Sequence, residues 1–144
     1  RVMANLSIGI PRVRRRRINE VLELTALTDA AEALAANLSH GQTQWLELGM
    51  LIVQDPKLLL LDEPTAGMTQ AETHKTAEII KGLRGQHTIL VVEHDMAFVR
   101  EIAEKITVMH LGRVLAEGDI GAIESNEAVR RAYLGSHGIS GKAA

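Results

Sequence analysis

The sequence predicts an α/β fold with a parallel sheet core, and two short apolar runs are the main indication. Residues 58–61 are four consecutive leucines, and residues 88–92 form a run rich in β-branched side chains. A short apolar run bounded by turn signals is typical of a strand that is buried on both faces. A third strand is predicted at residues 106–110, and helical periodicity separates the three runs. Strands that alternate with helices predict right-handed parallel crossovers.

Length and composition narrow the class of protein. The 144 residues suit one domain with a real hydrophobic core. The sequence contains no cysteine, which excludes disulfides and thiolate metal sites and fits a reducing compartment. The longest apolar run is far shorter than the ~20 residues that cross a bilayer, and no signal-peptide pattern opens the sequence. A net charge of −2 and an aromatic content of 2% disfavour nucleic acid as a partner.

The first part of the chain predicts helices that follow an arginine run. Arg12 and residues 14–17 form this run, which is either a patch for nucleic acid or anionic lipid or, as we favour, the solvated start of a helix. Apolar residues at helical spacing predict a helix over residues 18–27. Asp29 with Glu32 predicts a second short helix through residue 36.

A third helix is predicted to begin at Ser39. Ser39 and Gln42 have the spacing of a capping box, in which the serine hydroxyl accepts a hydrogen bond from a backbone N–H. The apolar residues that follow predict a largely buried helix. Its amino end presents free N–H groups and the positive end of the helix dipole, which together bind anions. Gly41 permits close approach of the backbone.

Two acids follow the leucine run. Pro64 and Gly67 end the run just after Asp62 and Glu63. Both carboxylates are therefore expected at the carboxyl end of a strand, where open α/β sheets bind ligands. Adjacent acids at such a position can do different work, one holding a metal ion and the other facing a water molecule.

A further capping box, Thr69 with Glu72, predicts a helix that ends before Gly85. The strand at residues 88–92 leads into a helix predicted over residues 96–105.

The last part of the chain predicts a hairpin and a helix. Residues 106–110 and 113–117 have the pattern of two strands joined by a tight turn. Asn126 is expected to cap a last helix that ends near Gly135, and residues 136–144 are expected to be a flexible tail.

Four motifs resemble those of the ATP-binding cassettes of ABC-type ATPases, and their order along the chain is that of the family. Residues 38–42 resemble the signature motif, with His40 where most members have glycine. Residues 58–63 resemble the Walker B strand, which ends in the catalytic glutamate, here Glu63. His94 matches the switch histidine of the H-loop. The D-loop corresponds to Ala66, Gly67, Met68 and Thr69, of which Thr69 replaces the usual acid.

Within this family, the residues in and around the motifs are most similar to those of the ATP-binding subunits of urea and branched-chain amino acid importers. Residues 44–47, 66–69 and 92–96 carry this similarity, and the urea branch is the more similar of the two.

The resemblance implies a partial P-loop NTPase-type, three-layer fold with a parallel sheet core and part of the helical subdomain. Residues 1–54 would be the partial helical subdomain with the signature motif, and residues 55–135 the carboxyl-terminal half of the ATPase core. The sequence contains no Gly-x-x-x-x-Gly-Lys-Ser/Thr loop and no Q-loop. It therefore resembles the carboxyl-terminal part of a nucleotide-binding domain.

The resemblance also implies roles in the binding and hydrolysis of ATP, with Mg²⁺ as the metal. Asp62 would hold Mg²⁺ through water, Glu63 would polarise the attacking water, and His94 would contact the γ-phosphate. The residues that would contact nucleotide held by a second subunit are Ser39, His40, Gly41 and Gln42.

The implied partners are those of a transporter. They are a second ATP-binding subunit in a head-to-tail dimer, membrane-spanning permease subunits and, indirectly, a periplasmic solute-binding protein, with no nucleic acid. The implied location is peripheral, at the cytoplasmic face of the inner membrane. Because the phosphate-binding loop is missing from the sequence, we expect that the chain alone does not hydrolyse ATP. Unpaired sheet edges are expected to promote self-association or segment swapping.

Two other functions stay open on the sequence alone. A chromosome or DNA-repair type of ABC ATPase could use the arginine run, although the sequence has no long heptad arms. Salt-dependent binding to DNA would favour it. The second open function is a non-catalytic interaction module derived from an ABC domain. Neighbouring genes for membrane-spanning subunits would favour transport over both of these functions.

Overall fold

A computed structural model describes residues 1–6 and 15–134. The chain forms two compact units, Arg1–Phe98 and Val99–Ala144. Arg12, Arg14 and the tail predicted over residues 136–144 lie outside the described residues. The domain boundary expected between residues 54 and 55 stays a prediction.

Helices and strands alternate through most of the described chain. In chain order the elements are α1 (Val2–Asn5), α2 (Arg15–Leu24), α3 (His40–Ile52), β1 (Leu58–Asp62), α4 (Gln70–Gly82), β2 (Thr88–Val92), α5 (Met96–Ile102), β3 (Ile106–His110), β4 (Arg113–Gly118), α6 (Ile120–Ser125) and α7 (Glu127–Val129). A single π-helical turn, Arg130–Leu134, follows α7.

The core of the first unit lies where α1, α2, α3 and α4 pack together and against one face of β1. Its buried apolar side chains are Val2, Leu6, Ile18, Val21, Leu22, Leu27, Leu46, Leu48, Ile52, Val53, Leu59, Ile79 and Leu83. Burial of aliphatic surface on this scale is the main favourable term in folding.

Both predicted capping boxes are confirmed, and they fix where α3 and α4 begin. Ser39 Oγ accepts a hydrogen bond from Gln42 N at 3.2 Å, and Gln42 Oε1 accepts one from Ser39 N at 3.0 Å. Thr69 Oγ1 accepts from Glu72 N at 3.3 Å, and a Glu72 carboxylate oxygen accepts from Thr69 N at 2.9 Å. Each box satisfies backbone donors that the first helical turn leaves without partners.

The segment after α2 differs from the prediction. Helix α2 ends at Leu24 because Ala26 adopts a left-handed conformation with φ 55°, and Leu27 N donates back to Leu22 O. This 6→1 hydrogen bond is that of a Schellman motif, which terminates helices. The helix predicted from Asp29 is wrong: two 3-10 turns, Thr28–Ala30 and Ala35–Asn37, take its place. Glu32 caps no helix and instead pairs with Arg1 at 2.7 Å.

Strands β1 and β2 pair in parallel, as predicted. Leu58 lies opposite Thr88 and Asp62 opposite Val92, so the two strands end at the same edge. The hydrogen-bond ladder continues one step further, because Glu63 N donates to Val92 O at 2.9 Å.

The prediction that these strands are buried on both faces is wrong. Successive side chains of a strand point to opposite faces, and within the described residues only the face with Leu59, Leu61 and Ile89 packs against the core. The other face, here called the open face, carries exposed apolar side chains: Leu58 (51%), Leu60 (63%), Leu90 (57%) and Val92 (59%). The sequence pattern could not distinguish one covered face from two, because the leucine run supplies an apolar residue to each.

In the second unit, β3 and β4 form the predicted antiparallel hairpin. Its two turn residues, Leu111 and Gly112, have φ 47° and 74°, as a type I′ turn requires. In the described part of the chain, β3 pairs with β4 alone. Asn126 Oδ1 accepts from Ala128 N and Val129 N and so caps the last helix as predicted. Gly135, its expected end, lies outside the described residues.

We expect the open face to drive self-association of the chain, because contiguous exposed apolar surface favours contact with a second copy. Leu60→Lys and Leu90→Lys should each lower the average mass in solution toward that of the monomer, as measured by light scattering after size exclusion. Leu111→Lys is the matched control, because Leu111 is an 88% exposed leucine of the second unit. A monomeric wild-type chain at high concentration would contradict the prediction.

Candidate functional site

Glu63 and His94 come together at the carboxyl edge of the parallel sheet. Glu63 follows β1 directly, and His94 follows β2 after one intervening residue. The distance from Glu63 Oε1 to His94 Nδ1 is 3.3 Å, and the two side chains are 53% and 78% exposed. Solvent therefore reaches both groups.

The backbone of Glu63 is held in an unusual conformation. Its φ is 45°, in the left-handed region that L-residues with side chains seldom adopt. Two hydrogen bonds hold it there, from Glu63 N to Val92 O at 2.9 Å and from Ala66 N to Glu63 O at 3.0 Å. Such conformations concentrate at functional sites, where the surrounding structure maintains them.

Glu93, between β2 and His94, is the residue that sequence reasoning missed. Its side chain is only 3% exposed. One carboxylate oxygen accepts hydrogen bonds from Thr65 Oγ1 at 2.5 Å and Thr65 N at 3.3 Å, and the other from His94 N at 3.0 Å and Asp95 N at 3.3 Å. Burial raises the pKa of this carboxyl, but the hydrogen bonds from Thr65, His94 and Asp95 outweigh burial and lower the pKa below the ordinary glutamate value.

The alternation of less and more exposed residues along β2 indicates that the Glu93 side chain points inward. Ile89 and Val91 are the less exposed residues of the strand, and Glu93 continues the same period of two. A charged residue at a position that points inward needs hydrogen-bond partners, which tertiary structure supplies.

A cleft of about 190 Å³ lies beside the two acids. Asp62 and Glu63 line it together with residues of α3, among them Gln44 and Trp45. Trp45 packs against the core. Its indole N–H donates to Thr76 Oγ1 at 2.9 Å, so the ring that borders the cleft is fixed in place.

The start of α3 is open to solvent at Ser39 and His40 and closed at Gly41. Gly41 is buried because the Glu72 carboxylate lies over it, and a Cβ at this position would be 2.5 Å from Glu72 Oε1. The hydrogen bonds with Thr69 lower the pKa of Glu72. A negative charge therefore lies on the Gly41 side of this helix start, and an anion has access from the Ser39 side.

His40 contacts the segment that corresponds to the D-loop. Its Nε2 lies 3.0 Å from Ala66 O, and Gln44 Nε2 donates to the same carbonyl at 3.3 Å. Gly67 has φ 72°, and a Cβ there would be 3.2 Å from His40 Nε2. Met68 accepts a hydrogen bond at Sδ from Thr76 Oγ1 at 3.2 Å. The helix start and this turn are thus joined within one chain.

The acids at the sheet edge offer Mg²⁺ a single carboxylate ligand. In residues 1–6 and 15–134, no three His, Asp or Glu side chains come together as a metal site. Asp62 is exposed and lines the cleft, and a single carboxylate with waters and phosphate oxygens is a usual set for Mg²⁺. Asp62 therefore suits Mg²⁺. The sequence contains no Gly-x-x-x-x-Gly-Lys-Ser/Thr loop that would bind the phosphates.

Comparison with known proteins identifies the family. The ABC transporter family model matches residues 2–66. The high-affinity branched-chain amino acid transport ATP-binding protein LivG of Escherichia coli (strain K12) is 42% identical over 116 residues, which are 79% of this chain and 46% of LivG. BraF of Pseudomonas aeruginosa, with the same description, is 40% identical over 116 residues, again 79% of this chain and 46% of BraF. The chain belongs to the ABC transporter ATP-binding family.

Solved structures of ABC-family cassettes have the same fold. The crystal structure of the ADP conformation of MJ1267, an ATP-binding cassette of an ABC transporter, matches with a TM-score of 0.78 at 26% identity and covers 93% of this chain and 62% of that one. CbiO1 from Clostridium perfringens, part of the ABC transporter complex cbiONQ, matches with a TM-score of 0.79 at 25% identity, over 90% and 55% of the two chains. The α/β fold of P-loop NTPase type is thereby confirmed.

This ABC-family chain spans about half the length of the curated relatives it matches. Within its described residues, none of the helices has the length and apolar character needed to cross a membrane.

Gly41→Ala is expected to lower the free energy of unfolding of this ABC-family chain by about 1–2 kcal/mol, because the new Cβ displaces Glu72 from its cap on Thr69. Urea denaturation measures the change. In a Glu72→Ala background the obstacle is gone, so Gly41→Ala should then be neutral or stabilising, as alanine usually is in a helix. If the losses of unfolding free energy caused by Gly41→Ala and Glu72→Ala simply add in the double variant, the packing explanation is wrong.

Proposed function

We propose that this chain is part of the ATP-hydrolysing subunit of an ABC importer and supplies its catalytic glutamate and switch histidine. The observation that carries the proposal is the 3.3 Å approach of Glu63 and His94 where two parallel strands end. The carboxyl edge of a parallel sheet is the usual ligand site of such folds.

Glu63 acts as the general base of the proposed reaction. Its exposed carboxylate accepts a hydrogen bond from the attacking water and orients it, as a carboxylate within hydrogen-bond reach can. His94 faces Glu63 through Nδ1, which leaves Nε2 to contact a phosphate oxygen. Phosphoryl transfer depends mainly on positioning and charge stabilisation. In this proposal Glu63 positions the water and His94 contacts the phosphate.

Asp62 is proposed to hold Mg²⁺ through water. When bound, Mg²⁺ neutralises charge on the phosphates of ATP.

The signature and D-loop segments are proposed to contact a second subunit. Ser39, His40, Gly41 and Gln42 would meet nucleotide held by that subunit, in a head-to-tail dimer. The positive end of the α3 dipole suits a phosphate at this place. Ala66, Gly67 and Thr69 are exposed and Met68 is half-buried, so the turn is available for contact across the dimer.

The proposed transport substrate is a branched-chain amino acid or urea. LivG and BraF, at 42% and 40% identity, are ATP-binding proteins of branched-chain amino acid transport. The proposed partners are membrane-spanning permease subunits and, through them, a periplasmic solute-binding protein. The proposed location is the cytoplasmic face of the inner membrane.

Glu63→Gln tests the catalytic assignment. In a chimera that carries this chain in place of the matching segment of E. coli LivG, the substitution should lower kcat for ATP about 10²–10⁴-fold, because the base is lost while the amide keeps the shape. KM should change little. Glu117→Gln, an exposed glutamate of the second unit, is the matched control. Full turnover by the Glu63→Gln chimera would refute the assignment.

The 144-residue chain alone is expected to release no phosphate from Mg-ATP above the level of its own Glu63→Gln variant. The reason is that the sequence has no Gly-x-x-x-x-Gly-Lys-Ser/Thr loop to hold the phosphates, since the pair at residues 141–142 is followed by alanine. A malachite-green assay at millimolar ATP measures the release. Turnover that Glu63→Gln abolishes would overturn this expectation and indicate a phosphate site elsewhere in the chain.

A further inference from the structure

We infer that Glu93 is a positioning residue, whose buried carboxylate holds the Glu63 turn and the His94 segment together so that the two side chains face each other. This inference rests on the proposed function, because it assumes that Glu63 and His94 are the groups that act on nucleotide.

The hydrogen-bond ladder between β1 and β2 ends at Glu63. The last backbone hydrogen bond between the strands runs from Glu63 N to Val92 O. Beyond it, within residues 15–134, the hydrogen bonds that join the turn after β1 to the segment after β2 are those from Thr65 to the Glu93 carboxylate. Without this carboxylate the two segments would leave the sheet edge independently.

The two oxygens of the Glu93 carboxylate bind different segments. Oε1 accepts from the backbone and hydroxyl of Thr65, and Oε2 accepts from the backbone N–H groups of His94 and Asp95. One side chain therefore holds both segments at once. Hydrogen bonds to an ionised acceptor are about twice as strong as neutral ones, and an ionised carboxylate that is 3% exposed depends on them.

The contacts of Glu93 also determine how the His94 ring is oriented. With the amide N–H of His94 held by Glu93, the imidazole lies with Nδ1 at 3.3 Å from Glu63 Oε1 and 3.8 Å from Glu93 Oε2. Two carboxylates on this side favour the tautomer with hydrogen on Nδ1. Glu93 thereby sets the direction of the ring, and Nε2 on the far side can donate to a phosphate oxygen when both ring nitrogens carry hydrogen.

The test uses the complete 144-residue chain labelled with ¹⁵N, without nucleotide. Ring nitrogen shifts report the His94 tautomer, and amide exchange reports its backbone. Glu63→Gln should shift the His94 ring signals in wild type, because it removes the carboxylate that faces Nδ1. In a Glu93→Gln or Thr65→Val background the same substitution should leave them nearly unchanged, and the amides of His94 and Asp95 should exchange about tenfold faster or more.

Thr65→Ser and Thr107→Val are the controls. Thr65→Ser keeps the hydroxyl donor and should restore the wild-type response of His94, whereas loss of packing alone would not be rescued. Thr107→Val removes a comparable hydroxyl, which donates to the exposed Glu117 at 2.7 Å in the second unit, and should leave His94 unaffected.

Two results would overturn the inference. One is a His94 response to Glu63→Gln that is as large in the Thr65→Val and Glu93→Gln backgrounds as in wild type. The other is an equal loss of response caused by Thr107→Val, which would mean that the effect is global. Neither result depends on ATP turnover, so failure of the chimera assay and failure of this inference are distinguishable.

Discussion

The parallel register of β1 and β2 is the constraint on which the candidate site depends. Because Asp62 lies opposite Val92, the residues that follow the two strands emerge side by side at one edge. Glu63 and His94 need no long-range loop to meet, since each is within two residues of a strand end. A shift of one residue in this register would place every side chain of one strand on the other face and separate the pair.

Features determined by short stretches of sequence were predictable. Both capping boxes, the two parallel strands and the hairpin turn depend on neighbours within a few residues, so composition and spacing suffice. Helix α2 ends earlier than predicted because Ala26 takes a left-handed conformation that is usual for glycine or asparagine. The segment at residues 28–36 was also predicted wrongly. In that segment Glu32, which was expected to cap a helix, pairs with Arg1 instead.

Features that depend on distant contacts could not be read from the sequence. His40 stands out only as a departure from glycine, and its contact with the Ala66 carbonyl requires the turn after β1 to fold beside α3. Glu93 is one acid among many until β2 directs it inward toward Thr65. The open face was hidden for a different reason, because a leucine run gives the same pattern whether one face or both are covered.

The left-handed backbone at Glu63 has an evolutionary consequence. At φ 45°, glycine or asparagine would relieve a strain that glutamate bears. If Glu63 is the general base that we propose, a copy of this domain released from hydrolysis would gain stability by replacing it with glycine or asparagine. Under the proposed function, selection for hydrolysis and selection for stability would therefore oppose each other at Glu63.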